Sequence, residues 1–286
     1  MIALYIVSAQ SGRGSRVDEQ QITIDGQQIA YRQSDGAERP VIFIHGNSCS
    51  SRTWEGILQS PFGQRYRCLA LDLPGHGDSD QAKDPGDYSL PGYARILTGF
   101  AQATSTGNAV IVGWSLGGHI ALEAAPHLPH AAGFVIYGTP PIATADQMSV
   151  AFQPNPAMAF TFAPSISPDE ARVYAAAFVA PGSELDLSET VTDVLKTDGA
   201  ARAGLGASLA EGRYADELAI TENLTTPLAI LHGEGEQLIS LDYLRTLTPP
   251  TLWRREIQLI PGAGHAPHLE TPGQFTTLLQ DFIAGL

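Results

Sequence analysis

The chain has 286 residues, 43% of them hydrophobic and 16% charged, and its formal net charge at pH 7 is −14. That length allows a full buried core, either as one large domain or as a domain with an insertion. The acidic excess repels phosphate groups, which argues against nucleic acids and anionic membrane surfaces as partners. The composition is that of an ordinary soluble protein and suits a neutral or apolar small-molecule partner.

Two features of the sequence bear on its compartment. Cys49 and Cys68 lie in different predicted elements and form no CxxC or zinc-binding spacing, so we expect two reduced thiols. Residues 1–9 are apolar, but no basic residue precedes them and the run is too short to span a bilayer. A signal peptide is the weaker reading of this segment. We therefore predict a cytoplasmic protein, present as a monomer or a weak homo-oligomer.

The pattern of apolar runs along the chain predicts the fold class. Residues 21–24 and 29–32 are strand-like and flank Asp25-Gly26, a dipeptide typical of hairpin turns. Continuous apolar runs typical of buried parallel strands follow at residues 41–44, 68–73, 109–112, 134–137, 228–231 and 257–260. Helical segments are predicted at residues 90–103, 116–125, 241–247 and 273–283. This alternation predicts an α/β fold whose mostly parallel, eight-stranded sheet carries helices on both faces.

Residues 140–226 interrupt the alternation, because they contain no clear core strand and are too long and apolar for a loop. We predict helices at residues 168–180, with Ser167 as N-cap, and at residues 188–195. The large apolar side chains of this stretch are Phe152, Met158, Phe160, Phe162 and Phe178. They either pack with one another and the core or roof a site, and the position between two core segments, 1–139 and 227–286, favours a helical cap.

Residues 113–117 read Gly-Trp-Ser-Leu-Gly, a G-x-S-x-G pattern between a predicted strand and a predicted helix. In that context the pattern indicates a sharp turn that lifts a serine hydroxyl above the sheet, at the positive end of the following helix. Small residues are needed at both flanks, where a Cβ would clash. Ser115 is therefore the predicted nucleophile.

A serine nucleophile needs a histidine base, and in this type of fold the chain order is serine, acid, histidine. His232, His265 and His268 follow Ser115 at sufficient distance. His265 stands in the glycine-rich loop Pro-Gly-Ala-Gly-His directly after the last predicted strand, where the base must lie. We predict His265 as the base and keep His268 as the alternative.

The carboxylate that orients the base should follow the strand at residues 228–231. That loop contains Glu234 and Glu236, and Asp242 lies further on at the start of a predicted helix. Glu236 has the reach, three residues past the glycine that ends the strand. Glu234 comes early in the turn and Asp242 suits a first-turn helix charge, so these two remain the alternatives.

The loop after the strand at residues 41–44 is expected to supply an oxyanion hole. We assign the backbone N–H groups of Asn47 and Leu116 to it. Only backbone is required, so the Asn47 side chain is expected to be free to contact substrate. We interpret His45 as structural and His119 as a helix-packing residue. No HxHxDH cluster, Walker loop or dinucleotide fingerprint occurs in the sequence, so we expect no metal or other cofactor.

The sequence resembles the N-acyl-homoserine-lactone lactonases of the α/β-hydrolase fold in six stretches: HGNSCS, DLPGHGDS, GWSLGGHI, GTPP, TDGAAR at residues 197–202, and GAGHAP. These quorum-quenching enzymes open the lactone ring without a metal. The resemblance extends over nearly the whole chain from about Ile22 onward. It implies the α/β-hydrolase fold and a small-molecule ester or lactone substrate with an apolar acyl chain.

The resemblance also assigns residues. Glu236 matches the family's acid, which is a glutamate rather than the commoner aspartate. Asn47 matches a residue of the oxyanion and substrate site, and Tyr174 matches a tyrosine that contacts substrate. We further expect Trp114 and Phe152 to contact the substrate.

The acid loop departs from the family pattern. The lactonases carry an arginine–aspartate pair where this chain has Glu234-Gly235, and a proline where it has Gln237. The predicted triad is unaffected by this departure, but the substrate preference is open to change. The alternatives are a general carboxylesterase, another lactonase, or a ligand receptor of the same fold. A haloalkane dehalogenase or an epoxide hydrolase would require aspartate at position 115.

Overall fold

The computed structural model of the protein describes residues 16–286. Residues 1–9, on which the prediction of the compartment depends, lie outside this range. Within residues 16–286, no helix has both the length and the apolar character needed to cross a membrane.

The core is one eight-stranded sheet with the strand order β1-β2-β4-β3-β5-β6-β7-β8. The strands are β1 Val17–Ile24, β2 Gln27–Ser34, β3 Glu38–Ile44, β4 Tyr66–Leu71, β5 Val110–Trp114, β6 Gly133–Tyr137, β7 Leu228–Gly233 and β8 Gln258–Ile260. β1 and β2 form an antiparallel hairpin, and β2 is antiparallel to β4. All other pairs are parallel. The predicted α/β class, with a mostly parallel sheet of eight strands, is confirmed.

Helices cover both faces of this sheet. They are α1 Glu55–Gln59, α2 Pro61–Arg65, α3 Leu90–Ala103, α4 Leu116–Ala124, α5 Met148–Ala151, α6 Pro168–Ala176, α7 Ser188–Lys196, α8 Gly199–Ala210, α9 Glu217–Asn223, α10 Leu241–Leu244, α11 Pro267–Glu270 and α12 Pro272–Ala284. The helix starts follow local chemistry. The Ser167 hydroxyl accepts from the Glu170 N–H and the Glu170 carboxylate accepts from the Ser167 N–H, a capping box that begins α6 where the sequence predicts it.

Between β6 and β7 the chain adds no strand to the sheet, and helices α5 to α9 all fall within residues 140–226. We call residues 140–226 the inserted segment. Two predicted helices are too long: α6 ends at Ala176 rather than residue 180, and α10 ends at Leu244 rather than residue 247. The carbonyls of Tyr174 and Ala175 accept the N–H of Ala177, which closes α6 in a tight last turn.

The parallel strands are almost completely buried, as expected for a sheet covered on both faces. Because these strands run parallel, their carboxyl ends share one edge of the sheet. The loops after β3, β5, β7 and β8 meet at that edge. In open α/β sheets this edge is where ligands bind. The predicted triad residues Ser115, Glu236 and His265 lie in these loops, and so does Asn47 of the predicted oxyanion hole.

Candidate active site

Ser115 occupies a sharp turn between β5 and α4. Its backbone has φ 54° and ψ −117°, a conformation that side-chain-bearing residues rarely adopt. The Ser115 N–H donates to the Tyr137 carbonyl across the neighbouring strand at 2.9 Å, which ties the turn to the sheet. α4 begins directly afterwards, so its unpaired N–H groups and its positive end face the serine.

The flanking glycines are required by space. A Cβ on Gly113 would lie 2.3 Å from the Gly117 carbonyl oxygen, and one on Gly117 would lie 2.2 Å from the Ile44 carbonyl oxygen. Both contacts are with backbone, which cannot turn aside as a flexible side chain would. The strained turn at Ser115 is therefore accessible only to a sequence with glycine on both sides.

His265 and Glu236 form a buried hydrogen-bonded pair. His265 Nδ1 lies 2.7 Å from Glu236 Oε2, and the two side chains are only 2% and 1% exposed. The second carboxylate oxygen, Oε1, accepts the backbone N–H of Leu238 at 2.7 Å. Burial by itself raises the pKa of Glu236, but the charge and hydrogen bond of His265 and the Leu238 amide outweigh it, so the pKa is lowered. Glu236 is held as an ionised acceptor.

The alternative acids and bases lie elsewhere. Glu234 is exposed, and the Asp242 side chain is 96% exposed and pairs with Arg245 on the surface. His268 is buried, and its two ring nitrogens contact the Tyr137 hydroxyl and the Thr53 hydroxyl. Among the candidates weighed, the structure brings Glu236 and His265 together.

The loop that carries His265 packs against Trp114 and Gly138, which lie at the carboxyl ends of β5 and β6. The Trp114 indole N–H donates to the His265 carbonyl at 2.8 Å, so the residue before the serine fixes the backbone of the histidine. Gly138 lies under the imidazole ring, where an added Cβ would be 2.6 Å from Cε1. Trp114 is completely buried and lines the cavity described below, consistent with both a supporting and a contacting role.

Glutamine side chains fasten the acid loop to the inserted segment. The Gln153 amide donates to the carbonyls of Glu236 and Ile239 at 3.2 and 2.7 Å. In the opposite direction, the Gln237 amide donates to the Val179 carbonyl at 2.7 Å. Gln237 is the position at which this chain departs from the lactonase pattern, and a proline there could not donate this bond.

Asn47 follows β3 and lines the same cavity as Ser115. The sequence predicts a side chain that is free to contact substrate, but in the structure this side chain is hydrogen-bonded within the protein. Nδ2 donates to the Thr161 carbonyl of the inserted segment at 2.7 Å. Asn47 thereby joins the predicted oxyanion loop to the inserted segment, a contact between residues far apart in sequence. Leu116 is the first residue of α4, so its N–H has no carbonyl partner within the helix.

Ser115 and His265 face an apolar cavity with about 960 Å³ of empty space, part of it open to solvent. Its lining includes Leu116, Phe152, Met158, Phe162, Tyr174 and Phe178. Phe160, expected in the lining, instead packs behind Tyr174, with ring centroids 6.5 Å apart. Burial raises the pKa of the Tyr174 hydroxyl and a hydrogen bond with the Thr161 side chain offsets this only in part, so the hydroxyl stays protonated.

One polar pair in the cavity was not predicted. His119 Nδ1 lies 2.8 Å from Glu217 Oε1, and both residues line the cavity. His119 stands four residues after Ser115 and so one turn along α4, which the spacing alone could have shown. Its partner is 98 residues away in sequence, and nothing in the pattern signals that contact. His119 is therefore more than the packing residue that we expected.

His45 has the structural role predicted for it. Burial lowers its pKa to about 4, so the ring is neutral. Nδ1 donates to the Gly46 carbonyl and Nε2 accepts the Leu73 N–H, which fixes the loops after β3 and β4. Across residues 16–286, no group of three or more His, Cys, Asp or Glu side chains is placed to hold a metal ion.

Comparison of the sequence with known protein families shows which family the chain belongs to. The profile of the alpha/beta hydrolase family matches residues 41–277. The chain belongs to the alpha/beta hydrolase family. Its mostly parallel sheet and its helices are those of the alpha/beta hydrolase fold.

Among solved α/β hydrolases, the N-acyl homoserine lactonase AidH is similar to this chain. AidH in complex with N-butanoyl homoserine is 33% identical, with a TM-score of 0.89 over 93% of this chain and 96% of that chain. A serine-to-glycine mutant of AidH in complex with N-hexanoyl homoserine lactone is 32% identical, with a TM-score of 0.89 over 93% of this chain and 97% of that chain. The resemblance to α/β-hydrolase lactonases inferred from the motifs is confirmed.

Other relatives in the family have different names. The pimeloyl-[acyl-carrier protein] methyl ester esterase of Nitrosomonas europaea is 27% identical over 86% of this chain and 96% of its own length. The biotin biosynthesis bifunctional protein BioHC of Teredinibacter turnerae is 28% identical over 85% of this chain. This chain spans only 44% of BioHC, and 30% of the uncharacterized protein Rv2715 of Mycobacterium tuberculosis.

Proposed function

We propose that this protein is a serine hydrolase that opens the lactone ring of N-acyl homoserine lactones through an acyl-enzyme intermediate. The observation that carries the proposal is that His265, held by Glu236 in a buried pair, lines one apolar cavity together with the strained Ser115. The likeness to AidH, solved with N-hexanoyl homoserine lactone, supports the choice of substrate.

In the proposed mechanism, the Ser115 hydroxyl attacks the ring carbonyl while His265 Nε2 takes its proton. Glu236 holds Nδ1–H and stabilises the imidazolium that forms. The N–H groups of Asn47 and Leu116 bind the oxyanion. The ring C–O bond then breaks, and His265 returns the proton to the leaving oxygen, which stays tethered to the acyl group. Water, activated by His265, releases the acyl group from Ser115.

We also propose that residues 140–226 form a cap over a core made of residues 1–139 and 227–286. The inserted segment supplies Phe152, Met158, Phe162, Tyr174 and Phe178 to the cavity. These side chains are suited to an acyl chain. The ring-opened alcohol can re-attack the acyl-enzyme, so the lactone end of the site must admit water promptly.

Mass spectrometry of the product tests the reaction. Incubation with a long-chain N-acyl homoserine lactone should yield one molecule heavier than the substrate by one water. The test is needed because one catalytic triad is chemically capable of either reaction. A free fatty acid together with homoserine lactone would show cleavage of the amide bond instead and would contradict the proposal.

A general carboxylesterase is the second candidate, favoured by the methyl ester esterases among the relatives. The same apolar cavity would hold the acyl part of a simple ester. Comparing kcat/KM for an N-acyl homoserine lactone with that for a p-nitrophenyl or methyl ester of equal chain length separates the two. A higher value for the simple esters would favour the second candidate.

Chelation and covalent inhibition test the proposed nucleophile. We expect EDTA to leave turnover unchanged, because the proposed mechanism uses the Ser115 hydroxyl and no metal-activated water. A serine-directed organophosphonate should abolish turnover by modifying Ser115, and the mass of the intact protein should rise accordingly. Loss of activity with EDTA and recovery with zinc would overturn the serine mechanism.

The acyl chain and Tyr174 give a further prediction. Each fully buried CH₂ contributes about 0.8 kcal/mol, so two added methylenes should raise kcat/KM roughly tenfold until the pocket is full. Tyr174→Phe removes one hydroxyl and keeps the ring against Phe178, whose centroid is 4.9 Å away. The variant should discriminate less well between the amide-bearing substrate and a plain lactone of similar size.

Tyr31→Phe is the matched control for Tyr174→Phe, because the Tyr31 hydroxyl bonds to Gln20 on the hairpin, outside the cavity. It should leave both the chain-length profile and the selectivity unchanged. A flat profile together with wild-type selectivity in Tyr174→Phe would mean that the inserted segment does not form the acyl pocket.

A further inference from the structure

His119 and Glu217 form a second histidine–glutamate pair in the cavity, separate from His265 and Glu236. The Glu217 side chain is 1% exposed and that of His119 15% exposed. Glu217 Oε1 pairs with His119 Nδ1 at 2.8 Å, and Oε2 accepts the Ile142 N–H at 2.9 Å. Both carboxylate oxygens therefore have partners, and the position of the imidazole ring is fixed.

The free edge of the His119 ring is available to a ligand. A carboxylate only accepts hydrogen bonds, so Nδ1 carries the proton toward Glu217, and in this tautomer Nε2 is the acceptor of the ring. No other described residue forms a hydrogen bond with Nε2, and His119 lines the cavity. In a mostly apolar lining, such a group selects for a polar substituent on the bound molecule.

The position of His119 indicates where that substituent lies. His119 is one helical turn from Ser115, and its N–H contacts the Ser115 carbonyl at 3.4 Å. Ser115 is the N-cap of α4, so the two residues are separated by about one helical turn, a rise of about 5.4 Å along the axis. In an N-acyl homoserine lactone, the third carbon of the acyl chain lies five bonds beyond the reacting carbonyl carbon, about 6 Å when extended.

We propose that His119, oriented by Glu217, recognises a hydroxyl group on the third carbon of the acyl chain and makes the enzyme selective for 3-hydroxyacyl substrates. In the tautomer with the proton on Nδ1, Nε2 accepts a hydrogen bond from a 3-hydroxyl group, whereas a 3-oxo group has no proton to donate. The inference rests on the proposed function for the choice of substrate. It adds a specificity-determining residue that takes no part in the bond-breaking steps.

Glu217→Gln offers a sharp test because it should abolish the preference for a 3-hydroxy over a 3-oxo chain. The single amide oxygen of glutamine is claimed by the Ile142 N–H, so the amide NH₂ faces His119 Nδ1. That nitrogen must then accept, and the ring proton moves to Nε2, which becomes a donor. The variant should favour a 3-oxo chain, which accepts, over an unsubstituted one.

The experiment measures binding to the full-length Ser115→Ala protein by calorimetry, so that turnover does not interfere. The probes are N-(3-hydroxyoctanoyl), N-(3-oxooctanoyl) and N-octanoyl homoserine lactone. We expect the 3-hydroxy compound to bind about fivefold more tightly than the 3-oxo compound, the effect of one hydrogen bond. In Ser115→Ala with Glu217→Gln, the 3-hydroxy and 3-oxo compounds should bind about equally tightly, and both more tightly than the unsubstituted compound, because both oxygens accept a hydrogen bond from Nε2–H.

Glu123→Gln is the matched control. Glu123 also lies on α4, and its carboxylate accepts the Ala215 N–H at 2.8 Å, but it does not line the cavity. It should leave the binding ratios unchanged. If Glu217→Gln does not fold, His119→Phe keeps an aromatic ring without Nε2, and the ratio of 3-hydroxy to 3-oxo binding should fall to about one.

Unchanged ratios in Glu217→Gln or in His119→Phe would overturn the inference. Turnover by the wild-type protein is measured in parallel with the same three lactones. Binding with the expected ratios but no ring opening would refute the proposed function alone. Ring opening with ratios insensitive to these variants would refute the role of His119 alone.

Discussion

Replacing Ser115 with alanine should reduce turnover of any ester or lactone substrate by about three orders of magnitude or more. The other triad members cannot compensate, because they act only through the serine hydroxyl. Alanine keeps a Cβ at the same strained φ of 54°, so the melting temperature should stay close to that of the wild type. Turnover and thermal unfolding measured on the same preparation provide the check.

Ser149→Ala is a suitable control for this variant. Ser149 lies on α5, is exposed, and its hydroxyl donates to the Asp146 carbonyl. Its removal should leave kcat/KM within about twofold, as is usual for surface substitutions. Near wild-type turnover in Ser115→Ala would refute the assignment of the nucleophile.

Glu236→Gln should lower turnover by several orders of magnitude with little change in shape. The structure gives a specific reason. Glutamine has one amide oxygen, and the Leu238 N–H, now 2.7 Å from Oε1, would claim it. The amide NH₂ then faces His265 Nδ1 and forces the proton onto Nε2, where the base must accept the serine proton. The imidazolium also loses its counter-charge.

Glu234→Gln and Asp242→Asn are the matched controls, since each removes one nearby carboxylate charge from the surface. Both should change kcat/KM only mildly. The pH dependence of turnover should also be retained in these two variants and lost in Glu236→Gln. If Asp242→Asn were the damaging substitution, the assignment of the acid would be wrong.

The central strands were predictable because burial on both faces leaves one strong signal, a continuous apolar run. The runs at residues 41–44 and 228–231 lie inside β3 and β7, and the errors are confined to strand ends. Asp72 and Leu73, for example, belong to the loop after β4 rather than to the strand. Both residues are buried although they lie past the last ladder pair, at Leu71, and Leu73 is apolar, so composition and burial alone do not show where pairing ends.

Helices α8 and α9 of the inserted segment were not predicted. α8 reads GAARAGLGASLA, in which small residues and glycines blur the periodic apolar stripe that marks a helix. The glycines have a tertiary reason: a Cβ on Gly206 would lie 2.8 Å from Phe162. Close packing within the inserted segment therefore overrides the propensity on which the prediction depends.

The candidate site also has some residues that local sequence patterns indicate and others that only the tertiary structure shows. Ser115 and His265 were predicted from local motifs, and Glu236 from its place after a strand. The partners of Asn47 and His119, Thr161 and Glu217, lie about a hundred residues away. Such contacts depend on how the inserted segment folds over the sheet, which no local pattern encodes.

The bonds that join the inserted segment to the core loops have a consequence for how this enzyme can diverge. Asn47, Gln153 and Gln237 each donate to main-chain carbonyls rather than to side chains. A carbonyl acceptor is present whichever amino acid occupies the position, so Thr161, Val179 and Ile239 can change without breaking these bonds. Substitutions can then alter the cavity lining, while the side chains of Asn47, Gln153 and Gln237 keep the inserted segment bonded to the core loops. Single substitutions in the lining can therefore change the substrate range without loss of these bonds.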